Sequence, residues 1–157
     1  MIDITTDWFA PETKMILRST RTSPYGRKVR IALAVLGLED RVTRQDADTL
    51  DPEDDLRQQN PLGKMPCLLV GDETFFDSTV IFQLLDGIAG GGRLYPAATD
   101  GLARCRALRQ AVLADGIADA ALLMVYEARF RAPEQVSERW LAHQRGKIQR
   151  GLAAFET

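Results

Sequence analysis

The sequence predicts an α/β domain followed by an all-α segment, and three observations carry the prediction. Short apolar runs bounded by turn residues, MILRS, CLLV and TFF, recur in the first half of the chain and read as strands. Among them lie segments of helical spacing with clear start and stop residues. Beyond Leu102 the strand-like runs end and only the helical period continues.

The first strand begins after Lys14 and stops at the turn-like TRTSP. A helix follows: Ser23 is a good N-cap, Pro24 suits the first helical position, Val29, Ala32, Leu33 and Leu36 recur at helical spacing, and Gly37 ends it. Val42 to Gln45 gives a weaker strand signal, and the acidic DPEDDLRQQ reads as a solvated short helix or loop. After NPLGKMP, the run CLLV, the turn GDE and the run TFF predict an antiparallel hairpin with strands near 67–70 and 74–76, both buried. Asp77 and Ser78 then precede a helix with the apolar stripe Ile81, Leu84, Leu85 and Ile88, closed by Gly90, Gly91 and Gly92. The resulting order over residues 14–90, β-α-β-α-β-β-α, is thioredoxin-like.

Residues 91–99 read as a linker. From Leu102 a long helical pattern through Leu108, Ala111, Val112, Leu122 and Val125 runs to Ala132, Pro133 interrupts it, and a second helix spans Val136 to Phe155. Residues 100–157 thus form a partial all-helical domain that cannot enclose a core of its own and must lean on the first domain or on another chain. The opening residues 1–13, with Trp8, Phe9 and Pro11, form an extension, a tether or an extra edge strand.

Composition narrows the function classes. With 45% hydrophobic and 27% charged residues in a chain of 157, there is enough apolar surface for a core. The formal charge of -2 gives no basic footprint for nucleic acid or for an anionic membrane surface. The runs IALAVLGL and IADAALLMVY fall short of the about 20 apolar residues that span a bilayer. An acidic start without an apolar stretch is unlike a secretory signal, so a cytoplasmic protein is expected. Cys67 and Cys105 match neither a metal spacing nor a disulfide framework, and His143 has no partner for a metal or catalytic site.

Four segments carry a family resemblance: TSPYGRKVRIAL (22–33), NPLGKMP (60–66), the pair Asp77-Ser78, and LYP (94–96). In this order and at these separations they resemble the amino-terminal domain of glutathione transferases. The helical region, including DGIADA from Asp115, resembles the first helices of that family's second domain, which normally continues with several more. The resemblance implies a homodimeric enzyme that binds glutathione as co-substrate, stabilises its thiolate and conjugates it to a small electrophile without a metal. Two other readings stay open: a non-catalytic glutathione-transferase-like binding module, and a glutathione-dependent isomerase, dehalogenase or disulfide reductase on the same scaffold.

The resemblance also assigns residues. Ser23 stands where glutaredoxin-like relatives carry the first cysteine of Cys-Pro-Tyr-Cys, here Ser-Pro-Tyr-Gly. In the serine-type classes such a hydroxyl donates to the glutathione sulfur, which makes Ser23 the catalytic candidate and Thr22 its nearest rival. Helix capping alone also explains Ser23. The lack of cysteine at 23 and 26 disfavours a two-thiol redox mechanism. Met65-Pro66 resembles the cis-proline turn whose preceding backbone receives the cysteinyl group like an added strand. Lys64 falls where some members hold the glycyl carboxylate, a place that an idle surface lysine also explains. Asp77-Ser78 resembles the acid-serine pair in which the hydroxyl and helix-start amides hold the γ-glutamyl carboxylate and the acid faces its ammonium. Asp115 and Asp119 read as interface residues or as a carboxylate for the cleft, Tyr25 and Tyr126 as packing or pocket lining, Arg27 and Lys28 as solvated, and both cysteines as small apolar residues.

Overall fold

The apolar run after Lys14 forms β1 (Met15–Arg18), which is followed by a turn at Arg21 and Thr22 before α1 (Pro24–Leu36). Ser23 caps α1, and Gly37 closes it in the left-handed region at φ 72°. Val29, Ala32, Leu33 and Leu36 are buried, the face that the sequence marks. Then come β2 (Val42–Gln45), the single turn α2 (Leu56–Gln59), β3 (Cys67–Val70), β4 (Glu73–Phe76) and α3 (Ser78–Ile88). The described residues are 10 and 13–156 of this computed structural model, so the expectation for residues 1–13 lies almost wholly outside them.

The strands make one sheet in the order β2-β1-β3-β4, parallel between β1 and β2 and antiparallel elsewhere. Met15, Leu17, Leu68 and Val70 from the two central strands meet Val29, Leu33, Ile81 and Leu85 from α1 and α3 in the main core. The hairpin forms where expected, but only β3 is buried. As the edge strand, β4 exposes its ends, Glu73 and Phe76, and half-buries Thr74 and Phe75 between them. The acidic segment before α2 is solvated as expected at Asp51, Glu53 and Asp55, but Asp54 is half-buried. Asp54 pairs at 2.6 Å with Arg18, itself only 3% exposed, and its carboxylate accepts from the Asp48 and Leu56 amides. That ties the segment to β1 at this one residue.

The chain divides into two compact units between Thr99 and Asp100. The second consists of α4 (Gly101–Phe130), a 3-10 turn at Pro133–Gln135, and α5 (Glu138–Ala153). Both helices are shorter than the apolar pattern suggests. Pro133 forces Ala132 into extended backbone, so α4 stops at Phe130, and α5 waits for Ser137, whose Oγ accepts from Trp140 N at 3.2 Å. Glu127 bonds the Ser137 amide at 3.1 Å and Arg131 at 2.9 Å, closing the corner between them. Gly151 lets the helices approach, since a Cβ there would lie 2.6 Å from Ile117. Val112 and Val125 of the expected stripe remain 67% and 56% exposed. Among the described residues no helix is long and apolar enough to cross a membrane, and no cluster of three His, Cys, Asp or Glu is placed to hold a metal.

Candidate functional site

Strand register brings the expected site residues to one end of the sheet. Arg18 pairs with Cys67 and Cys67 with Phe76, so the loop after β1, the loop before β3 and the step from β4 into α3 emerge side by side. Ser23 lies in the first loop, Lys64, Met65 and Pro66 in the second, and Asp77 and Ser78 in the third.

In the first loop, Ser23 Oγ accepts from Gly26 N at 3.0 Å. An accepted bond uses a lone pair and leaves the hydroxyl proton available. The loop is fastened from two sides: Arg30 donates to the carbonyls of Thr20 and Arg21 at 3.0 and 3.2 Å, and the Met65 thioether accepts from Thr20 N at 3.3 Å. Gly26 is buried, and a Cβ there would collide with Ser19 Oγ. A second cysteine at that place would therefore require the Ser19 side chain to shift.

In the second loop, the Met65-Pro66 peptide is cis, and Met65 is half-buried. Asn60, buried, donates to the Lys64 carbonyl at 2.8 Å and so fixes the approach to the turn, while the Lys64 side chain is exposed. Cys67 follows directly and is fully buried. Burial pushes its thiol up to about 11 against the opposing effects of Arg18 and Asn60, consistent with an inert core residue.

In the third, Asp77 adopts φ 70°, a conformation that non-glycine residues rarely hold, and its Oδ1 accepts from Thr79 N at 2.8 Å. Ser78 is buried at the first position of α3. Lys28 was expected in solvent beside Arg27. The structure instead half-buries Lys28 and leaves Arg27 exposed: the Lys28 ammonium lies 3.5 Å from Ser78 Oγ, 3.4 Å from Thr79 Oγ1 and 5.3 Å from the Phe82 ring centre. No local pattern announces this, because it depends on α1 lying beside α3. Arg30 and the Met65 side chain were also missed, because only the folded β1–α1 loop brings their partners Thr20 and Arg21 to them.

Residues of the second unit do not enter this description. Asp115 is half-buried on α4 and Asp119 exposed, Tyr126 stacks edge-on with Phe130, and His143 stacks on Trp140.

Comparison with known proteins identifies the family and fold that carry these loops. Residues 22–88 match the family model for the amino-terminal domain of glutathione S-transferase. The chain is 36% identical over 145 residues to the uncharacterised GST-like protein YibF of Escherichia coli K12, covering 90% of this chain and 68% of that one. Among solved structures, a glutathione transferase family member from Pseudomonas fluorescens Pf-5 with bound glutathione superposes with a TM-score of 0.83 at 44% identity, over 91% of this chain and 70% of its own. A glutathione S-transferase from Methylobacillus flagellatus KT, also with glutathione bound, gives 0.81 at 36% identity, over 90% and 68%.

Proposed function

The chain belongs to the glutathione transferase family, with that family's thioredoxin-like α/β domain and a helical part, and on this premise we propose that it binds glutathione, stabilises its thiolate and conjugates it to a small electrophile. The observation that carries the proposal is the convergence of Ser23, the cis Met65-Pro66 turn and Asp77-Ser78 on one end of the sheet.

The γ-glutamyl carboxylate takes the start of α3, where Ser78 Oγ and the helix-start amides donate and Asp77 faces the ammonium. The Met65 backbone pairs with the cysteinyl residue, and Lys64 reaches the glycyl carboxylate. The sulfur then lies near the start of α1. A thiol of pKa about 8.5 needs roughly 2 kcal/mol in favour of its anion to be half ionised at pH 7. The helix start supplies about 0.3–1 kcal/mol and a hydroxyl bond to the anion about 1.5–3. Together these suffice, with Ser23 as the donor. We place the protein in the cytoplasm as a homodimer that needs no metal.

The test is a calorimetric titration with glutathione, followed by assays of conjugation to an aromatic halide and of mixed-disulfide reduction. Binding with conjugation is the expected result. Binding without either turnover would identify a non-catalytic glutathione-binding module, disulfide turnover alone a reductase, and no binding would remove the reading.

A further inference from the structure

The hydroxyls of the β1–α1 loop are linked to Met65 by a chain whose direction is dictated by sulfur chemistry. Thr20 Oγ1 lies 3.5 Å from Met65 Sδ and 3.2 Å from Thr22 Oγ1. A thioether accepts but cannot donate, and a hydroxyl carries one proton. Both contacts of Thr20 are satisfied together only when Thr20 donates to the sulfur and Thr22 donates to Thr20. The Thr22 proton is then committed within the chain, and a bound thiolate would meet only its lone pairs. The Ser23 hydroxyl, which accepts from Gly26 N at 3.0 Å, keeps its proton.

We propose that the Met65 side chain is a positioning residue that selects the activating hydroxyl: by holding the chain in the direction Thr22 to Thr20 to Met65, it withdraws Thr22 and reserves Ser23 for the glutathione sulfur. The same sulfur also accepts the Thr20 amide at 3.3 Å, which anchors the chain's acceptor end to the backbone. Without that acceptor, the Thr20 proton turns to Thr22, the Thr22 proton is released, and a second donor becomes available. This role rests on the glutathione reading above, and it concerns the side chain of Met65 rather than its backbone.

The experiment compares how much Ser23→Ala perturbs bound thiolate, followed by ultraviolet titration, in the parent and in Met65→Leu, a near-isosteric change that removes only the acceptor. In the parent, Ser23→Ala is expected to raise the pKa of bound glutathione by about 1–2 pH units, the scale of one hydrogen bond to an anion. In the Met65→Leu background the same change is expected to raise it by less than half as much, and adding Thr22→Val is expected to restore the full rise. Thr20→Val removes the middle link of the chain and serves as a second background, expected to behave like Met65→Leu. Without ligand, the Thr20 amide proton of Met65→Leu should shift in the NMR spectrum and exchange faster with solvent. Equal rises from Ser23→Ala in all backgrounds, an unmoved Thr20 amide, or a rise caused by Thr22→Val alone in the parent would each overturn the proposal. A parent that binds no glutathione removes the function reading along with it, whereas a parent that binds while the backgrounds agree removes only this role of Met65.

Discussion

Ser78 is where geometry and chemistry constrain each other most tightly. Its hydroxyl is buried at the start of α3 with the Lys28 ammonium 3.5 Å away, so its oxygen faces a cation while its proton remains for a bound carboxylate. Ser78→Ala is expected to weaken glutathione binding by about 1–3 kcal/mol, the range of a charge-assisted hydrogen bond, with the unfolding midpoint nearly unchanged. Calorimetry beside a thermal melt checks both, and unaltered affinity would remove Ser78 from the site. Gly26 is a second single-residue constraint. A methyl group there meets Ser19 Oγ, so Gly26→Ala is expected to cost about 1–3 kcal/mol of stability by overpacking, and Ser19→Ala in the same chain should recover part of it. Urea unfolding of the single and double variants measures the difference. The glycine is therefore favoured by packing against Ser19, whatever the chemistry at Ser23.

At the scale of elements, α3 does more than present its first turn. Asp86, 4% exposed near its last turn, accepts from the amides of Gly92, Arg93 and Leu94 at 3.1, 2.9 and 2.8 Å. Three glycines with positive φ bring the chain back to that carboxylate, and Arg93 then bonds the Val35 and Leu36 carbonyls at the end of α1. Burial by itself would raise the Asp86 carboxyl, but the converging amides outweigh it and hold the group below the ordinary carboxylate range. A carboxyl whose pKa is lowered by folding contributes stability at pH above its unfolded value near 3.8, and that contribution is lost as pH falls through the folded value. Asp86→Asn is therefore expected to be less stable than the parent at neutral pH by about 1–3 kcal/mol, the cost of stranding a buried amide, and the gap should narrow as pH drops below about 4. Chemical denaturation at pH 7 and pH 3 checks it, and a gap that widens in acid would contradict the assignment.

At the scale of the whole molecule, α4 and α5 leave Leu102, Val112, Val125, Phe130 and Leu152 more than half exposed, apolar surface that the proposed homodimer would cover in part. Sedimentation at micromolar concentration is expected to give a species of about twice the 17.4 kDa chain, and a compact monomer would refute the dimer. The sequence by itself determined the order of the elements, the caps at Ser23 and Asp77, the turns at Gly37 and Gly71, and which three loops carry the candidate residues. Those features rest on interactions within a few residues, where capping, turn chemistry and apolar period leave a local trace. Tertiary structure decided that the three loops meet, that β4 lies at the edge, that Asp54 is drawn onto Arg18, that Lys28 reaches Ser78, and that Met65 faces Thr20. Those last two pairs are 50 and 45 residues apart in the chain, and they meet only because strand register and helix packing are fixed by burial of the shared core, for which no single segment carries a pattern.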